Sequence, residues 1–200
     1  MAHSFWVNNV AYPAAERTML LDVALASINC GLLTGKALVT DTDNYPQTLT
    51  GMRASFVTLK HDDTLRGCIG SLEPTDSLVR NVANNAYAAA FRDPRFPALT
   101  AQELNRLTIH IAVLGLLQTV ECDTEADLLR QLQAGVDGWV IEDKGSRGTF
   151  LPAVWESLPN PVHFLRHLKN KAGLPEDYWS DTIKIWRYST ESFSTTVPEN

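Results

Sequence analysis

Apolar positions in this chain switch between helical and strand periods several times. Met19, Leu20, Val23, Ala24 and Ile28 recur at helical spacing, Pro13 suits a first turn and Gly31 an exit, which predicts a helix over 13–30. Residues 35–52 are turn-rich around Asp41-Thr42-Asp43-Asn44-Tyr45-Pro46 and read as a long loop. Residues 54–60 and 65–72 are β-type runs joined by His61-Asp62-Asp63-Thr64, a hairpin pattern. Asp76 suits the N-cap of a helix carrying Leu78, Val79, Val82, Ala83, Ala86 and Ala90, which Asp93-Pro94 stops. Thr100-Ala101-Gln102-Glu103 is a capping-box pattern.

Residues 107–117 form the clearest strand, with Ile109, Ile111 and Val113 on one face and Thr108, His110 and Ala112 on the other. Residues 124–134 read as an amphipathic helix closed by Gly135, and 138–150 as a second hairpin turning at 144–148. Helices over 151–158 and 162–172 and a last strand over 182–189 complete the pattern. Strict βαβα alternation is absent. The expected fold class is therefore α+β, a mostly antiparallel sheet with flanking helices.

Composition narrows the function. The chain has 200 residues, 44% hydrophobic and 20% charged, enough to bury about 70% of its unfolded surface. Lys and Arg number 17 against 23 Asp and Glu, a formal charge of −6 with no basic run, so nucleic acid is not an expected partner. Three widely spaced cysteines, Cys30, Cys68 and Cys122, form no C-x-x-C pair, which argues against a disulfide framework or a thiolate metal site. The first six residues do not read as a signal peptide, and no apolar run near 20 residues stands out as a bilayer span. The expectation is a cytoplasmic chain, with no membrane, no metal and no evident cofactor.

Leu65-Arg66-Gly67-Cys68-Ile69-Gly70 is the segment least suited to an ordinary strand. Glycines inside a strand mark a bulge or a close backbone approach. On a regular strand Arg66 and Cys68 share a face, where a cation favours the thiolate. A small buried cysteine in a bulged strand is the plainer alternative. Asp93-Pro94-Arg95-Phe96-Pro97 is a rigid turn whose Arg95 could clamp a carboxylate or phosphate, or simply pair with Asp93. His110 could serve Cys68 as a base if their strands are neighbours. His163 and His167 share a helix face without an HExxH context, the 144–148 segment lacks Walker spacing, and the tryptophans read as core.

These residues resemble a known family. The Arg66-Gly67-Cys68-Ile69-Gly70 run, Asn85-Ala86 through Ala90-Phe91, Asp93-Pro94-Arg95-Phe96, Gly135-Val136-Asp137-Gly138, Thr149-Phe150-Leu151-Pro152, Phe164-Leu165 and Lys171-Ala172-Gly173-Leu174 are similar to the AMMECR-one domain family, also called AmmeMemoRadiSam system protein A. The resemblance covers nearly the whole chain. It implies one domain over 1–200, with an ordered core of roughly 10–190 and a larger and a smaller subdomain, interleaved in sequence, around a cleft near the glycine-cysteine strand. It also implies a Memo-like protein and a radical SAM protein as separate partner chains. The expected site is Cys68 as catalytic thiol, with Arg66, Gly67, Gly70, Asp93, Arg95 and Phe96 binding a small-molecule substrate. The expected function is a small-metabolite enzyme or enzyme component of unassigned reaction; the alternative is a non-catalytic ligand- or protein-binding module.

Overall fold

Residues 11–198 are described by the computed structural model; the first six residues, read above for a signal peptide, lie outside them. In chain order the elements are α1 (Ala14–Thr34), a 3-10 turn (Thr42–Asn44), α2 (Gln47–Thr50), β1 (Ser55–His61), β2 (Thr64–Gly70), α3 (Leu78–Phe91) and a 3-10 turn (Ala101–Leu104). Then come β3 (Leu107–Leu114), β4 (Gln118–Thr119), α4 (Glu125–Gln131), β5 (Gly138–Asp143), β6 (Ser146–Phe150), a 3-10 turn (Pro152–Glu156), α5 (Pro161–Lys171), β7 (Lys184–Tyr188) and β8 (Thr190–Thr196). They form two units, residues 11–114 with 191–198, and residues 115–190. Each holds an antiparallel sheet with flanking helices, so the fold is α+β as expected.

In the first unit the strand order is β2-β1-β3-β8. Alternation along β1 buries Ser55, Val57 and Leu59, and the register sets Val57 against Ile111 and Leu59 against Ile109. That face joins Leu20, Ile28, Val82 and Ala86 of the two long helices in one core. Each fully buried Leu, Ile or Val among them contributes about 1.5–3 kcal/mol. The β1–β2 turn is tight because Asp62 and Asp63 both adopt positive φ, 49° and 60°, the left-handed pair a two-residue hairpin needs.

Helix α1 runs past Gly31 and ends at Gly35, whose φ of 70° caps it. Gly31 serves packing instead, since a Cβ there would lie 2.3 Å from the Phe91 ring. The absence of a span-length apolar run is also corrected: α1, with a window of mean hydropathy 1.2, is long and apolar enough to cross a bilayer by length and composition. Its Leu20, Val23, Ala24 and Ile28 are buried in the first unit's core. Ser77, not Asp76, is the N-cap of α3, and Asp76 accepts the Ser77 N–H at 2.8 Å.

In the second unit the order is β4-β7-β5-β6, with α4 and α5 on one face. Trp155 stacks on Phe164 at 3.7 Å beside Trp139 and Ile185. Buried Lys169 donates to Glu125 and to the Glu176 carbonyl, both within 3.0 Å. The hairpin turns on Lys144 and Gly145 alone, and α4 stops at Gln131, short of Gly135.

Among the glycines of the first unit, Gly67 leaves the least room for a side chain. A Cβ there would meet the Ala89 carbonyl oxygen at 2.1 Å, a backbone atom of α3 that cannot swing away. Gly67→Ala is expected to cost about 2–3 kcal/mol of unfolding free energy in denaturant melts, the scale of overpacking a dense core. A loss no larger than that of an exposed substitution would contradict this packing.

Candidate functional site

The candidate residues gather at the outer edge of β2. From α3 the chain reaches Asp93 at once, because Pro94 prevents the helix from continuing. The Asp93 carboxylate accepts the Cys68 backbone N–H at 2.9 Å. It also accepts the Arg95 N–H at 3.1 Å, Arg95 Nε at 2.9 Å and Arg95 Nη2 at 2.7 Å. Arg95 Nη2 completes the clamp by donating to the Cys68 carbonyl at 3.4 Å. Asp93 is buried, yet Arg95's side-chain hydrogen bonds, helped by the two backbone donors, hold its carboxyl far below the usual carboxylate range.

The Arg95 side chain remains 54% exposed. Its proton is held above the ordinary value by the hydrogen bonds and charge of Asp93. Its Cζ lies 5.5 Å from the Phe96 ring centroid and that of Arg66 lies 5.9 Å from it, so the half-buried ring contacts two guanidinium groups.

Arg66 itself departs from expectation. The β1–β2 register pairs Lys60 with Leu65 and Leu59 with Gly67, leaving Arg66 as the extra residue of a bulge. The bulge removes Arg66 from the alternation that would have set it beside Cys68. Its guanidinium instead donates to Glu103 at 2.6 and 3.3 Å and to the Pro97 carbonyl at 2.9 Å. Glu103 is drawn down to about 2 by those Arg66 bonds first, and by Thr100 of the capping box. Gly67 faces α3, and Gly70 lies where a Cβ would meet the Phe56 ring at 2.4 Å, so both glycines serve close packing within the unit.

Cys68 falls on the opposite face from Gly67, half-buried and directly across from Thr58, whose hydroxyl donates to its sulfur at 3.2 Å. His110 is opposite Thr58 on the far side of β1, so β1 separates it from Cys68 and the neighbouring-strand condition for a base is not met. Burial, then Lys60, pulls His110 below its ordinary value. Thr58 was not singled out from sequence; its only signal is its place on the polar phase of the β1 alternation.

The other candidates lie elsewhere. Cys30 sits within α1 beside the Thr34 hydroxyl. Cys122, raised by burial and then by Asp127, Glu121 and Asp123, lines a cavity of about 380 Å³ with those residues, Arg130 and Gln131. His163 and His167 are exposed on α5, and no group of three metal-ligating side chains occurs among the described residues.

The sequence profile of the AMMECR1 family matches residues 21–193. The chain belongs to the AMMECR1 family. Protein MJ0810 of Methanocaldococcus jannaschii is 34% identical over 187 residues, 92% of each chain. A Thermotoga maritima protein is 37% identical over 162 residues, 80% of this chain and 87% of its own. The crystal structure of the uncharacterised protein PH0010 from Pyrococcus horikoshii superposes with a TM-score of 0.80 at 30% identity, covering 90% of this chain and 96% of that one. The AMMECR1 sequence match includes both β2 and the Asp93–Phe96 turn.

The Arg66–Glu103 pair makes the first unit sensitive to acid. Glu103's folded value lies below its unfolded one, so its contribution is complete above about pH 4.5 and is lost as pH falls toward about 2. Glu103→Gln is expected to cost about 2 kcal/mol at pH 7, less than a fully buried pair because the Glu103 side chain is 30% exposed. Its stability should also fall less steeply than the parent's between pH 5 and about 2, read by urea melts across that range. Parallel acid limbs for parent and variant would refute the assignment.

Proposed function

We propose that this AMMECR1 protein is a small-metabolite enzyme or enzyme component in which Cys68 is the nucleophile or covalent attachment point and Arg95 holds an anionic group of the substrate. One observation carries the reading: a single carboxylate, Asp93, fixes both the Cys68 backbone and the Arg95 guanidinium, leaving that guanidinium largely exposed beside a half-buried thiol. A planar donor fork held this way suits a carboxylate or phosphate. Arg66 is held in place by Glu103 and the Pro97 carbonyl, and Phe96 supplies an apolar surface beside Arg95. The proposed setting is cytoplasmic, with a Memo-like and a radical SAM protein as separate partner chains. The reading invokes no metal or cofactor, and the charge of −6 argues against nucleic acid.

A second reading is a non-catalytic binding or assembly module with Cys68 as packing. It is favoured by the same clamp, since Asp93 and Arg95 satisfy the N–H and C=O that edge strand β2 presents at Cys68.

Limiting alkylation near neutral pH, with the modified peptide mapped, separates the two. Cys68 should label before Cys30 and Cys122, small carboxylates or phosphates should slow it, and Arg95→Ala should abolish that protection while lowering stability. Cys68 labelling no faster than the other two, together with a fully functional Cys68→Ala protein in its pathway, would leave the binding module as the function.

A further inference from the structure

We infer that Thr58 is the positioning residue for Cys68, its hydroxyl supplying the hydrogen bond that favours the ionised sulfur. The inference rests on the reading of Cys68 as a reactive thiol and assigns to Thr58 the part that sequence gave to Arg66. Thr58 and Cys68 are direct cross-strand partners, and the 3.2 Å contact has the hydroxyl as donor. A donor aimed at an acceptor that gains charge binds the charged form more strongly, which favours ionisation. The side chain is β-branched and sits mid-strand, which restricts its χ1 rotamers.

The charged and titratable groups around Cys68 leave this role open. Arg66 is committed to Glu103 and to the Pro97 carbonyl. From the 93–96 turn, the negative charge of Asp93 opposes a thiolate while Arg95, bound to it, favours one. Lys60 of β1 is exposed on the same face as Thr58, and His110 of β3 lies across β1. The hydrogen bond of Thr58 runs to Cys68 on β2, and His110 is its register partner on β3.

The test is alkylation of the full-length chain by iodoacetamide across pH 5.5–9.5, with the rate at Cys68 read by peptide mass spectrometry. Thr58→Val keeps the shape and removes the donor; Thr58→Ser keeps the donor and removes the methyl. Thr58→Val should raise the midpoint of the Cys68 profile by about one pH unit and slow labelling below it about threefold. The slowing is less than tenfold because a more basic thiolate is also more nucleophilic. Thr58→Ser should return the midpoint to the parent value, whereas a merely loosened strand would change rates at every pH and leave the midpoint in place. An unchanged midpoint in Thr58→Val, or a Thr58→Ser profile that follows Thr58→Val, would overturn the role of Thr58 while Cys68 stays reactive. Failure of Cys68 to label in the parent protein would overturn the reading beneath it.

Discussion

The arrangement at β2 depends on one carboxylate. Asp93 receives four N–H donors, three from Arg95 and one from Cys68, and through them ties the turn after α3 to an edge strand. Each link requires the one before it. Gly67 has no side chain, so the α3 backbone can approach β2 closely enough for the chain leaving that helix to arrive at Cys68. Pro94 ends the helical path there, and a carboxylate of that length reaches the strand's free N–H. Charge-assisted bonds are about twice as strong as neutral ones, which suits a group that must stay ionised while buried.

Much of this was legible in the sequence because it rests on local rules. The glycines of β2, the capping box at Thr100 and the Asp93-Pro94 stop are short-range signals, and each acts where its residues predict. The misreadings come from pairings between elements. Arg66 and Cys68 are two apart and share a face on any regular strand; only the partner register, which skips Arg66, shows the bulge. Thr58 carries no signal of its own, since its role exists only once β2 is laid beside β1. Gly31 looks like a helix exit, and the Phe91 ring pressed against it is what explains it. Strand β8, Thr-Glu-Ser-Phe-Ser-Thr-Thr, was missed because an edge strand with one large apolar residue has almost no hydrophobic alternation to read.

Buried ionisable groups recur in this protein without marking chemistry. Asp143 in the second unit accepts hydroxyl bonds from Tyr178, Ser180 and Thr182 and lies well below the usual carboxylate range, drawn down chiefly by Ser180 and Tyr178. Those bonds fasten the 178–182 segment to the end of β5. Lys169 likewise joins α5 to Glu125 and the Glu176 carbonyl. In both cases the described hydrogen bonds all run to groups of the unit itself. A perturbed carboxylate is therefore weak evidence of function by itself, because structural networks shift pKa values in the same direction as active sites do.

The β2 edge differs from these staples in what it leaves uncommitted. Capping an exposed strand at one position requires an acceptor for its N–H and a donor for its C=O. Asp93 and Arg95 meet that requirement through the Cys68 N–H and carbonyl alone, and it would be met equally well with alanine at position 68. Edge protection does not account for the hydroxyl that Thr58 directs at the sulfur. That bond concerns the side chain of residue 68, whereas the clamp concerns only its backbone. The clamp explains why the turn is where it is, and the hydroxyl on the sulfur lies outside anything that capping this strand edge requires.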